Sequence, residues 1–151
     1  MDIIKVYNEN KNSVYRLALT YLHSVEEAED VCHDVFIKMI EHQDRILDGK
    51  EKSWLLTVTA NACKNKLKFW TLHKSEELTE TLMSPEDESN DIMEMVMSLS
   101  VKERTVIYLY YYEGYRTEEI AGILGISSST VRTRMERARK HLKEKLEGEL
   151  S

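Results

Sequence analysis

Proline and glycine are scarce: the 151 residues include one proline, Pro85, and five glycines. A chain so poor in helix breakers is most simply all-α. Cysteine is scarce too, and its two copies form no useful pattern. Cys32 and Cys63 stand far apart with no C-x-x-C, which argues against a disulfide framework and reads the chain as cytoplasmic. His33 beside Cys32 offers a third donor for a metal, but the spacing matches no ligand pattern. Both cysteines are expected to pack as small hydrophobes. No apolar run is long enough to span a bilayer and no signal peptide is visible, so membrane insertion is not expected. There is no Gly-rich phosphate loop, no nucleophile–base cue and no metal cluster. An enzyme is therefore not expected, nor a cofactor or a small-molecule substrate.

Positive charge is in deficit overall, with a formal net charge of −6, but its distribution is uneven. Lys64, Lys66, Lys68 and Lys74 share an acid-free stretch from Asn61 to Lys74. A second basic cluster lies near the C-terminus. Acid gathers at Glu26, Glu27, Glu29, Asp30 and Asp34, and again between Glu76 and Glu94. Local potential steers association, so a segregated acidic chain can still grip DNA through two basic faces.

The C-terminal cluster carries the most specific signal. The run TEEIAGILGISSSTVRTRMERARKHLKEKL, Thr117 to Leu146, predicts a helix, a tight turn and a second helix. Thr117 is the expected N-cap, with Glu118 and Glu119 in the first turn. Ile120, Ala121 and Leu124 form an apolar stripe, Gly125 supplies the turn, and Ile126 fills the angle between the helices. Ser127 or Ser128 caps the next helix, where Val131, Met135, Ala138 and Leu142 make one buried face. The opposite side is basic. This is the layout of a helix-turn-helix that places its second helix in the major groove of duplex DNA. The expected DNA contacts are Ser128, Ser129, Thr130, Arg132, Thr133, Arg134, Arg137 and Arg139. The earlier residues face base edges and the later arginines face phosphates.

Upstream, the pattern predicts a first helical module at 1–71, an acidic linker containing Ser84-Pro85 at 72–91, and the helix-turn-helix module at 92–151. A first helix over Ile3 to His23 has Val14, Leu17, Ala18, Tyr21 and Leu22 on one face. The capping box Ser24-x-x-Glu27 starts a second helix. Its apolar stripe is Ala28, Val31, Cys32, Val35, Phe36 and Met39, and its other face is acidic and polar. That face is either a solvated surface or a dock for a basic partner, with Phe36 and Ile37 adding apolar contact at the rim. After a polar loop holding Gly49, a third helix spans Glu51 to Trp70, with Trp54, Leu55, Val58, Ala62 and Leu67 as its expected core. Asn61, Lys64, Asn65 and Lys68 share one face of it, and such amides and amines suit base edges and phosphates together. In the second module a short helix (Ile92, Met95, Val96, Leu99) precedes a capping box, Ser100 to Glu103. Tyr108, Tyr110, Tyr111 and Tyr112 follow. They could stack on bases, but core packing of two or three of them is favoured, and Gly114 ends their helix.

These residues resemble a known family. The order is A-E-D-x-x-x-x-x-F (Ala28 to Phe36), W-L-x-x-x-x-x-N-x-x-x-N (Trp54 to Asn65), an acidic linker, L-S-x-K-E-R (Leu99 to Arg104) and the helix-turn-helix. Together they look like a bacterial sigma factor of the extracytoplasmic-function (ECF) group, over about Tyr15 to Leu146. The resemblance implies two small helical domains and a transcription initiation factor that brings core RNA polymerase to promoter DNA. It implies that Asp30, His33, Asp34 and Phe36 dock on the polymerase, and Ile37 at the rim of the same helix is expected to join them. It implies that Asn61, Lys64, Asn65 and Lys68 read the −10 element and that the helix from Ser128 to Arg139 reads the −35 element. An anti-sigma factor is implied as a regulatory partner. His33 stands where members usually carry glutamine, and Ser127-Ser128-Ser129 replaces a frequent Pro-x-Gly. A stand-alone helix-turn-helix regulator whose first module dimerises remains an alternative. So does a chain that occupies polymerase without initiating.

Overall fold

The computed structural model describes residues 1–73 and 91–150, without the side chains of 91, 149 and 150. The expected linker lies outside the described residues except at its edges, where Leu72 ends one helix and Asp91 begins the next. The described residues contain helices and turns and no strand. They belong to two compact units.

The first unit is a three-helix bundle of α1 (Ile3–Leu22), α2 (Val25–Glu41) and α3 (Glu51–Leu72), each packed on the other two. Asp2 caps α1 by accepting a hydrogen bond from the Lys5 backbone N–H at 3.1 Å. His23 ends it in the left-handed conformation, at φ 54°. Ser24 then caps α2, its Oγ accepting from the Glu27 N–H at 3.2 Å, as the capping box predicts. Val14, Leu17 and Ala18 of α1 and Val31, Val35 and Met39 of α2 are buried.

The core face of α3 differs from the expected one. Leu55 is buried, but Trp54, Val58, Ala62 and Leu67 are only half-buried. The buried stripe is Leu55, Leu56, Thr59, Ala60 and Cys63. A threonine can join it because Thr59 Oγ1 donates to the Leu55 carbonyl at 2.7 Å. Buried Asn10 and Thr20 of α1 likewise bond back to carbonyls of their own helix. Each polar group is thereby satisfied within its own turn rather than left bare in the core.

The second unit comprises α4 (Asp91–Met97), α5 (Val101–Ile107), a π turn (Tyr108–Tyr112), α6 (Thr117–Leu124) and α7 (Ser128–Leu150). Helices α5 and α6 both pack on α7. Ser100 Oγ caps α5 by accepting from the Glu103 N–H. Arg104 is buried, and its Nη1 donates to the Leu99 carbonyl at 3.0 Å. Burial lowers the pKa of its guanidinium.

Two local expectations are corrected here. Arg116, not Thr117, is the N-cap of α6: the Glu119 carboxylate accepts from the Arg116 backbone N–H at 2.8 Å, and Thr117 is the first helical residue. Of the four tyrosines only Tyr108 is buried, while Tyr110, Tyr111 and Tyr112 are exposed. The chain widens there, with the Glu113 N–H reaching back five residues to the Tyr108 carbonyl. The buried run of α5 continues into the π turn as far as Leu109, and the tyrosines beyond it are exposed.

Candidate DNA-facing helices and docking surface

The turn between α6 and α7 follows from its residues. Gly125 adopts φ 71°, and its N–H donates to the Ala121 carbonyl at 2.8 Å. That conformation is open to glycine at little steric cost. Ile126 is half-buried in the angle. Ser127 caps α7, its Oγ accepting from the Thr130 N–H at 3.1 Å while lying 2.8 Å from Thr130 Oγ1. Val131, Met135 and Ala138 are buried, and Leu142 is half-buried.

That burial fixes which way α7 faces. Ser129, Arg132, Thr133, Arg137 and Arg139 are exposed, with Lys140 and Lys143. Ser128, Thr130 and Arg134 are half-buried at the flanks. A concavity of about 340 Å³ on one flank is lined by Ser129, Thr133, Arg134 and Arg137 of α7 together with Lys102 and Glu103 of α5, among others. Sequence reasoning about the helix-turn-helix alone missed Lys102. Its place in L-S-x-K-E-R was the available signal. On the other flank the Nε of Arg139 donates to the Tyr111 hydroxyl at 3.1 Å.

On α3, Asn61, Asn65 and Lys68 are exposed and Lys64 is half-buried. They share a face, as their spacing predicts. Phe69 is also exposed, its ring stacked on His73 at 4.0 Å. Lys66 does not belong to this face, because its Nζ lies 2.8 Å from Glu27 Oε1 at the start of α2. Lys74 lies outside the described residues.

On α2, Asp30, His33 and Asp34 are exposed and Ile37 is 53% exposed. Phe36 is not at the rim. It is 7% exposed, with its ring edge against Tyr7 of α1 at 4.9 Å between centroids. Tyr7 covers the side chain expected to project. A groove of about 780 Å³ between α1 and α2 is lined by Ile4, Tyr7, His33, Ile37 and Ile40 among others. Ile4 and Ile40 were missed because the groove needs two helices side by side, and neither helix's own pattern announces it.

Burial pushes the thiol of Cys32 up to about 11, with the charge of Glu29 adding to it. It pushes Cys63 up to about 12, against the pull of nearby Lys66 and with a smaller push from Cys32. Such thiols stay protonated near neutral pH and are poor metal ligands. Among the described residues no group of three His, Cys, Asp or Glu side chains could hold a metal ion. No helix among them is long and apolar enough to cross a membrane.

The chain matches the family described as Sigma-70 region 2 over residues 6–69, and Sigma-70, region 4, over residues 89–142. It is 30% identical to the ECF RNA polymerase sigma factor SigW of Bacillus subtilis, the alignment covering 96% of this chain and 87% of SigW. It is 28% identical to the ECF RNA polymerase sigma factor SigL of Mycobacterium tuberculosis, covering 86% and 80% of the two. In fold it matches the sigma factor RpoE of Bartonella quintana, solved in complex with the anti-sigma factor NepR, at a TM-score of 0.81 and 23% identity, with 97% of each chain covered. With two sigma regions in order on one all-α chain, and likeness to SigW over most of both chains, this protein belongs to the ECF sigma factors, the transcription initiation factors that direct RNA polymerase to promoters.

Proposed function

We propose that the chain divides promoter recognition between 1–71 and 92–151, with 72–91 as the tether. The face of Asn61, Lys64, Asn65 and Lys68 contacts the −10 element, where amides and amines meet bases and phosphates of the opening duplex. The start of α7, with Ser128, Ser129, Thr130, Arg132, Thr133 and Arg134, contacts the −35 element in duplex form. Arg137 and Arg139 sit against its phosphates. Asp30, His33, Asp34 and Ile37 dock on core polymerase, together with the apolar groove beside them, and Phe36 supports that surface from beneath Tyr7. The observation that carries this reading is the orientation of α7. Its buried stripe is used up on α5 and α6, which leaves Arg132, Thr133 and Arg137 outward.

Two weak DNA modules on a tether gain from effective concentration only when a scaffold fixes their spacing. Core polymerase supplies that scaffold, which reconciles promoter recognition with a net charge of −6. The chain has no catalytic role of its own in this reading and acts in the cytoplasm. An anti-sigma factor covers either the acidic face of α2 or the basic face of α7. The crystallised partnership of RpoE with NepR supports a partner of that kind.

The test is titration of the full chain against bacterial core RNA polymerase, then run-off transcription on a fragmented genomic library. Tight binding with discrete new transcripts is expected. Tight binding without transcripts would mean a polymerase-occupying mimic. No binding would return the chain to a stand-alone regulator.

A further inference from the structure

Arg139 differs from the other arginines of α7 in having its guanidinium held by its own domain. Its Nε donates to the Tyr111 hydroxyl at 3.1 Å. Its guanidinium carbon lies 5.7 Å from the ring centroid of Tyr110 and 5.9 Å from that of Tyr111. The two rings meet edge to face at 4.9 Å. All three side chains remain exposed, so their contact is not a by-product of core burial. An exposed arginine ordinarily samples many rotamers, and ordering it on binding opposes affinity. Here the aromatic pair restricts the guanidinium plane through cation–π contact, and the hydroxyl occupies Nε.

We propose that Tyr110 and Tyr111 are positioning residues that pre-set Arg139 to clamp a backbone phosphate of the −35 duplex. With Nε engaged, the four N–H donors on the two Nη atoms stay available, in the end-on geometry that suits two phosphate oxygens. Tyr111 touches no DNA in this arrangement. It acts through Arg139, and the inference rests on α7 reading duplex DNA. The tyrosines are thereby explained in a way neither base stacking nor core packing explains them. They brace the recognition helix from the side.

The test uses holoenzyme reconstituted from the full chain and core polymerase, bound to the promoter recovered by run-off transcription. Tyr111→Phe keeps the ring and removes the acceptor, and it should lower promoter affinity about threefold to tenfold. Arg139→Lys keeps the charge without the planar fork and should lose a similar factor. Adding Tyr111→Phe to Arg139→Lys should cost nothing more. Arg139→Ala should flatten the dependence of log affinity on log salt by about 0.9, the contribution of one phosphate, while Arg139→Lys keeps the wild-type slope. Tyr110→Phe, which preserves the ring face, should bind like wild type, whereas Tyr110→Leu should not. If Tyr111→Phe lowers the melting temperature but leaves promoter affinity and salt slope unchanged, the contact is only a structural clip and the proposal falls. If Arg139→Ala weakens binding while Tyr111→Phe does not, the positioning role falls and the reading of α7 stands. If the holoenzyme yields no discrete transcripts, the reading of a −35 element by α7 fails and the clamp on that element falls with it.

Discussion

The Nζ of Lys66 lies 2.8 Å from the Oε1 of Glu27 and ties the middle of α3 to the first turn of α2. One lysine of the acid-free stretch is thus turned back onto its own bundle, while Asn61, Asn65 and Lys68 are exposed. Burial works against the charge of Lys66. The hydrogen bond and charge of Glu27, with Asp30 and Asp34 behind it, outweigh that and raise the ammonium pKa.

The two lysines should therefore separate by experiment. Because the folded pKa of Lys66 is raised, its contribution is complete below the unfolded value of about 10.4 and is lost as pH rises through the folded value. At pH 7.5, Glu27→Gln should cost roughly 0.2–1 kcal/mol in urea unfolding, the range for partly exposed pairs. Promoter opening should be preserved. Lys68→Ala should leave unfolding unchanged and slow opening, followed by permanganate reactivity of the melted strands. Loss of opening in Glu27→Gln would put Lys66 on the DNA face after all.

The thiols give a second pH signature. Cys63 is held protonated to about 12 and Cys32 to about 11, whereas unfolded cysteine ionises near about 8.5. The native state therefore keeps protons that the unfolded chain loses. Stability from this source is full below about pH 8.5 and falls as pH climbs toward the folded values, by at most about 1.4 kcal/mol per pH unit per thiol. Denaturant midpoints between pH 8.5 and 10 should fall more steeply for wild type than for Cys63→Ala. Iodoacetamide at pH 8 should label the native chain slowly and the urea-unfolded chain quickly. Fast native labelling would contradict the burial.

Docking and DNA reading should come apart under mutation. Asp34→Ala or Ile37→Ala should weaken binding to core polymerase about tenfold and leave thermal stability alone. Arg132→Ala should weaken promoter binding by the holoenzyme about tenfold, in keeping with the roughly 1–3 kcal/mol of an arginine–base contact, without affecting polymerase affinity. Phe36→Ala belongs to neither class. With its ring buried under Tyr7 it should destabilise the first unit by about 3 kcal/mol, and polymerase binding should fail through unfolding. Calorimetry beside a binding titration separates these outcomes.

The α6–α7 turn depends on Gly125 through its backbone rather than through crowding, since a Cβ there would meet nothing within 4 Å. At φ 71°, Gly125→Ala should cost about 1–2 kcal/mol of stability. Gly122, helical and equally uncrowded, should be neutral or slightly stabilised by alanine. A thermal melt of the pair measures the difference, and equal effects would refute a backbone origin.

Where a signal was local, the sequence showed it. The spacing of Val14, Leu17, Ala18 and Tyr21 gave one face of α1, and Ser24 and Ser100 sat three residues before an acidic partner. Gly125 divided two periodic runs, so the helix-turn-helix was legible to within a residue. The misses arose where one residue's environment depends on another element. Trp54 and Leu67 look like core by size, yet the buried face of α3 is set by which side meets α1 and α2, and Thr59 joins it by bonding to its own turn. Phe36 looked like a rim residue until Tyr7 of α1 covered it. The groove holding Ile4 and Ile40, and the placement of Lys102 beside Arg134 and Arg137, likewise belong to pairs of helices. Nothing in a single helical repeat distinguishes Tyr108, which is buried, from Tyr110 to Tyr112, which are not.

The widened turn from Tyr108 to Tyr112 has a consequence for how this chain can change in length. A π turn holds one residue more than a regular turn between the same two ends. Removing one residue there would let the helix rewind to ordinary pitch, with the flanking segments still able to meet their neighbours. Tyr111, which bonds Arg139, lies within that turn, so a chain shortened there should keep its fold and lose the contact, a loss that a thermal melt beside a promoter-binding titration would separate from unfolding. The segment is in that sense a removable shim, set against the flank of α7 at Arg139.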